Sequence, residues 1–167
     1  GITVMGVYPI QTLKEMSDHD FFGAEDWQYQ PCSLDLTFDL SAMRVARFAM
    51  PPCTSVEDAW KMSQPVGEYE PDEIERGCVY LLPIRQRFKL PSDVMCRANP
   101  KSTTGRLGML AQLIVPGHDR YDEIPPHYDG QVYMQVISMC NNIILSETEP
   151  LIQVRFMELD TRSEEHT

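Results

Sequence analysis

A chain of 167 residues, 43% hydrophobic and 23% charged, has material for one globular domain with a real core and none for a second of ordinary size. Its 14 Lys and Arg against 25 Asp and Glu leave a formal charge of -11, the opposite of the footprint of a general nucleic-acid or anionic-membrane binder. No apolar run approaches the roughly 18 residues of a membrane span and no signal-peptide pattern opens the chain, so a soluble protein is expected. Gly1 in place of a starting Met reads as a trace of processing. Cys32, Cys53, Cys78, Cys96 and Cys140 are odd in number and show no C-x-x-C spacing. That argues against a disulfide framework or a structural zinc site, and predicts reduced, mostly buried thiols in a cytoplasmic protein.

Thirteen prolines and nine glycines punctuate the chain and favour many short strands. Pro9 suits the first turn of a short helix over residues 9–16. Residues 32–40 give the clearest strand, with Leu34, Leu36, Phe38 and Leu40 alternating against Ser33, Asp35, Thr37 and Asp39. Ser55-Val56-Glu57-Asp58 reads as a helix cap leading into Ala59 and Trp60. Residues 61–77 are polar and acidic, with two prolines, and predict a surface loop. Short strands then follow at 79–82, 109–115, 132–137 and 152–156. Val132, Met134 and Val136 share one face, with Gln131, Tyr133 and Gln135 on the other; Ile152, Val154 and Phe156 repeat the pattern against Gln153 and Arg155. The expected organisation is one mainly β domain, a sandwich or barrel with one or two short helices, over residues 1–160, and a polar tail over 161–167.

The acidic total hides an asymmetry. Residues 1–84 carry net -9 and residues 107–167 net -7, whereas residues 85–106 carry net +5. That window holds Arg85, Arg87, Lys89, Arg97, Lys101 and Arg106 against Asp93 alone, which suggests a local anion site. Its second half, Asn99-Pro100-Lys101-Ser102-Thr103-Thr104-Gly105-Arg106, offers two cations, three hydroxyls and a glycine. Arg forks onto two phosphate oxygens, Lys supplies a compact charge, and Gly105 lets backbone amides approach a ligand. The spacing is not the P-loop pattern, and an ordinary solvated turn with surface cations explains the residues equally well.

The run Arg97-Ala98-Asn99-Pro100-Lys101-Ser102-Thr103-Thr104-Gly105-Arg106-Leu107 resembles the phosphate-binding motif of dCTP deaminases in the dUTPase superfamily. Gly6-Val7-Tyr8-Pro9, then Gln30-Pro31-Cys32-Ser33-Leu34-Asp35-Leu36, resemble the opening of the same proteins. Tyr128-Asp129-Gly130-Gln131-Val132-Tyr133 and Leu151-Ile152-Gln153-Val154-Arg155-Phe156 resemble their later strands, so the likeness runs in family order from about residue 6 to 157. It is nearest to the first half of the longer, tandem-domain bacterial members. The resemblance implies a distorted jelly-roll β-barrel, a homotrimer and nucleotide sites at subunit boundaries. It further implies hydrolytic deamination of dCTP to dUTP and ammonia, with Mg²⁺ accompanying the triphosphate. By the same likeness Lys101, Ser102, Thr103 and Arg106 hold the phosphates, and Ser102 and Arg106 also shape the catalytic site. Gln153 matches a glutamine near the nucleotide, Asp35 a structural residue near the trimer interface, and Tyr133 is placed to pack on a sugar or base. For Asp35, Tyr133 and Gln153 a solvent-facing or core-edge role is the simpler reading of the residues alone.

No zinc is expected, because zinc deaminases need H-x-E and P-C-x-x-C, and His19, His118, His127 and His166 lack a Glu two positions on. The chain departs from the family pattern at the proton acceptor. Water attacking a cytosine ring needs a general base, and the family's glutamate falls on Gln135, whose amide takes no proton. The aspartate of the dUTPase branch falls on Pro125. A nearby acid (Asp119, Asp122, Glu123 or Asp129) in the glutamate's place, chemistry carried by another half of a tandem protein, and nucleotide binding without turnover all remain open, as does dUTP diphosphohydrolase activity.

Overall fold

The computed structural model describes residues 3–7, 28, 32–46, 55–66, 72–101 and 108–160. Two antiparallel sheets carry these residues. In the first, β1 (Thr3–Val7), β12 (Ile152–Asp160), β7 (Val94–Pro100) and β9 (Glu123–Ile124) lie in that order, and β2 (Leu34–Asp35) also pairs with β12. The second runs β4 (Gln64–Pro65), β3 (Arg44–Ala46), β6 (Val79–Lys89), β10 (Asp129–Ser138) and β8 (Met109–Ile114). A two-residue pair, β5 (Glu73–Ile74) with β11 (Ile143–Ile144), stands apart. The mainly β class expected from the punctuation of the chain is what the structure shows.

The core lies between the two sheets. Val154 and Phe156 of β12 and Cys96 of β7 face Leu82 of β6 and Val132 and Met134 of β10, each wholly shielded from solvent. The predicted inward faces of β10 and β12 are correct. Strand β6 shows why its first half reads as a continuous apolar run and its second half does not. Tyr80, Leu82 and Ile84 enter the core, while Val79 and Leu81 pack on the opposite face under helix α1 (Val56–Met62). Past Pro83 that outer face is uncovered, and Arg85, Arg87 and Lys89 occupy it. Pro83 lies where the β6–β10 register shifts, a position that needs no ladder amide.

Helix α1 starts where its cap predicts: the Ser55 hydroxyl accepts a hydrogen bond from the Asp58 amide at 3.0 Å. Residues 61–77 are not one loop. Lys61 and Met62 finish the helix, Gln64–Pro65 pairs with β3, and Ile74 is fully buried; residues 67–71 lie outside the described residues. The expected helix at 9–16 and the tail 161–167 lie outside them too.

The strand expected over 32–40 is shorter, and its polar face is buried from Ser33 to Thr37. Only Leu34–Asp35 is paired as strand, Phe38 bridges to Ile84, and the chain turns through a single 3-10 turn at Leu40–Ala42. Leu34, Leu36 and Phe38 are buried as predicted, but so are Ser33, Asp35 and Thr37. The segment crosses from one sheet to the other, with the Leu36 amide donating to Ile152 O and the Arg85 amide to Thr37 O, so protein covers both sides. Each polar residue has a partner. Gln86, for example, donates to the Thr37 hydroxyl at 2.7 Å and accepts from the Thr37 amide at 2.8 Å.

One other expectation is corrected. Of the four described cysteines, all free, only Cys96 is buried. The cations of the basic window divide between the sheets: β6 carries Arg85, Arg87 and Lys89, whereas Arg97 lies on β7 and Lys101 just beyond it. Acids from elsewhere in the chain engage three of them, Glu147 at 3.0 Å from Arg85, Asp129 at 2.9 Å from Arg87 and Asp35 at 2.6 Å from Lys101.

Candidate functional site

The residues singled out by sequence fall into two described groups. The first gathers at one end of the first sheet. Lys101 follows directly on β7, its amide donating to Leu151 O at 2.9 Å, and its ammonium donates to Asp35 Oδ2 at 2.6 Å. Gln153 sits opposite Asp35 on one side and Asn99 on the other, and its Oε1 accepts from the Ser33 hydroxyl at 3.2 Å. Lys101, Asp35 and Gln153 are thus one polar cluster built from β7, β2 and β12. Ser102, Thr103 and Arg106, the rest of the cationic motif, lie outside the described residues.

The second group lies on the outer face of β10. Gln135 is buried, 4% exposed, and its Nε2 donates to Oε1 of Gln112 on β8 at 3.3 Å. The two glutamines are register partners, which explains the contact. Tyr133 shares that face and meets the Trp60 ring edge-on, with centroids 5.7 Å apart. Its hydroxyl donates to Gln131 Oε1 at 3.2 Å. Sequence reasoning passed over Gln112 and read Trp60 only as a helix residue; strand pairing and helix docking, which bring them here, leave no mark in local spacing.

Of the acids around the turn before β10, three are engaged elsewhere. Asp129 pairs with Arg87, and Glu123 lies 3.3 Å from His118 Nε2 and 3.9 Å from Arg120. Asp122 Oδ1 accepts from the Leu113 amide at 2.8 Å; burial pushes its carboxyl above the ordinary range, and that hydrogen bond pulls it partly back. Asp119 is exposed. Tyr128, whose hydroxyl donates to Gln131 O, is pushed up to about 12 by burial first and by neighbouring Tyr133 second. Among the described residues no three His, Cys, Asp or Glu side chains gather as a metal donor set.

Two apposed antiparallel sheets, a cation-bearing segment after β7 and a paired amide on β10 define a mainly β domain whose polar residues cluster at strand ends and on one outer sheet face. The family model for the 2'-deoxycytidine 5'-triphosphate deaminase (DCD) N-terminal domain matches residues 4–160, and the chain belongs to that family. Among solved structures, that of 2'-deoxycytidine 5'-triphosphate deaminase from Agrobacterium tumefaciens is similar, with a TM-score of 0.82 and 27% identity. The match covers 93% of this chain and 49% of that one, so the chain spans about half the length of this relative. No curated protein sequence matches.

Proposed function

We propose that the chain binds dCTP and takes part in its hydrolytic deamination to dUTP and ammonia. The observation that carries this reading is the family match over residues 4–160, which takes in the cationic motif and both polar groups. In the proposed complex Lys101, Ser102, Thr103 and Arg106 hold the triphosphate. Mg²⁺ would neutralise part of the phosphate charge, and bound to phosphate oxygens and water it asks for no protein donor set. A homotrimer in the cytoplasm completes the proposal.

Water adds to C4 of the cytosine ring, one of its protons passes to N3 and the other to the 4-amino group, and that group leaves as ammonia as the C4 carbonyl forms. A side chain that accepts and returns the proton accelerates both steps. An amide such as that of Gln135 can hydrogen-bond a water but cannot take its proton. That favours a second reading, nucleotide binding without turnover.

Incubating the purified protein with dCTP or dUTP and Mg²⁺, with ammonia and pyrophosphate both measured, separates the readings. Ammonia from dCTP is expected, and Gln135→Glu is expected to raise its rate by about a hundredfold, the low end of what a general base contributes. Binding of dCTP with no ammonia from either protein would establish the second reading. Pyrophosphate from dUTP without ammonia from dCTP would identify a diphosphohydrolase instead.

A further inference from the structure

Lys101 carries its charge on a flexible four-carbon stem, and an ammonium free to wander gives up much of that freedom when it settles on a phosphate. In this fold the stem is held at both ends. At its root, β7 stops at Pro100 and the Lys101 amide makes the next link to the neighbouring chain, donating to Leu151 O at 2.9 Å. At its tip, Nζ donates to Asp35 Oδ2 at 2.6 Å.

The carboxylate that holds the tip is firmly mounted. Asp35 closes β2 opposite Gln153 of β12. Leu34 before it is wholly buried, and the Leu36 amide after it donates to Ile152 O at 2.9 Å. Gln28 Nε2 donates to the Asp35 carbonyl oxygen, also at 2.9 Å. The Asp35 side chain is 4% exposed and that of Lys101 26%, so the cation meets solvent while its counter-ion lies behind it. An ammonium has three donors; Asp35 Oδ2 takes one, and the geometry of Nζ aims the others elsewhere. A donor ordered in advance loses less freedom on binding.

We propose that Asp35 is a positioning residue for the phosphate site, fixing the Lys101 ammonium where the triphosphate is received. The inference rests on the dCTP reading above and adds to it the residue that orders Lys101 beforehand. Charge and position make opposite demands here. Removing a carboxylate adds positive charge, which by itself draws a polyphosphate in. Loosening Lys101 weakens the same ligand.

Calorimetric titration of the full chain with dCTP and Mg²⁺, and with deoxycytidine, which has no phosphate, tests the role, with urea unfolding measured beside each variant. Asp35→Asn keeps the size of the side chain and an oxygen for Nζ. It is expected to weaken dCTP by about tenfold, the scale of re-ordering one lysine side chain, and to leave deoxycytidine within about twofold. In a Lys101→Met background the same substitution is expected to change dCTP affinity by less than about twofold, since residues that act through one another are not additive. Asp35→Glu keeps the charge but moves it by one methylene. It is expected to weaken dCTP alone in the same way, and it decides should Asp35→Asn prove unfolded. Suppose the wild-type protein binds dCTP, but Asp35→Asn leaves that affinity unchanged or raises it, weakens deoxycytidine equally, or acts as strongly in the Lys101→Met background. Any of these overturns the positioning role while the dCTP reading survives. If the wild-type protein binds no dCTP, the dCTP reading falls and takes the positioning role with it.

Discussion

Lys101 is engaged before any phosphate reaches it. Its ammonium lies 2.6 Å from Asp35 Oδ2, and the Asp35 side chain is only 4% exposed against 26% for Lys101. A carboxylate taken out of water depends on its counter-ion, and breaking such a pair commonly costs 3–5 kcal/mol. Partial exposure of the lysine places Lys101→Met near the lower end, about 3 kcal/mol, to be read from urea unfolding at neutral pH. Lys101→Arg, which keeps the charge, is expected to lose less. A fall in nucleotide affinity on removing Lys101 therefore reports the nucleotide only when the unfolding curve is measured beside it. Neither residue showed this partnership in sequence. Asp35 read as one polar position in an alternating strand, Lys101 as one cation of a phosphate motif, and 66 positions separate them. Gln135, by contrast, was legible as the odd residue of its pattern, because a motif match fixes which position to inspect.

At the scale of elements, legibility followed how each strand is covered. Strands β10 and β12 bury Val132, Met134 and Val136, and Ile152, Val154 and Phe156, on one face each, so those inward faces were predicted residue by residue, although Gln135 on the opposite face of β10 is buried as well. Strand β7 was missed: Val94, Met95 and Cys96 are all buried, alternation begins only with Arg97, and its end runs into the cationic motif. The segment from Ser33 to Phe38 misled in the opposite sense, since its polar residues are buried by side-chain partners that only the fold supplies. Helix α1 was found by its cap. Seven residues form little helix on their own, so the Ser55 hydroxyl on the Asp58 amide matters to it. Ser55→Ala is expected to cost about 1 kcal/mol, seen as a melting temperature lower by about 3 °C.

On the scale of the whole molecule, Asp122 is a junction between the sheets. Its backbone has positive φ (64°), its carbonyl accepts from the Ala98 amide of β7, and its amide and carboxylate both bond Leu113 of β8. Burial raises the carboxyl pKa, so the folded protein holds that proton more tightly than the unfolded chain does. Stability from this group is complete at acid pH and is lost as pH climbs through the folded value. Asp122→Asn keeps an acceptor for the Leu113 amide and tolerates positive φ. It is expected to raise the melting temperature by about 2 °C at pH 7 and to bring no gain at pH 3, as scanning calorimetry at the two pH values checks. The second sheet ends, among the described residues, on β8, which pairs only with β10 and leaves Leu110 48% exposed. An unfinished strand edge invites another copy to zip onto it, and mutual repulsion between molecules of formal charge -11 is what discourages this. That repulsion fades toward the isoelectric point near 4.7, so mildly acidic buffers are where the protein should be least willing to stay dispersed.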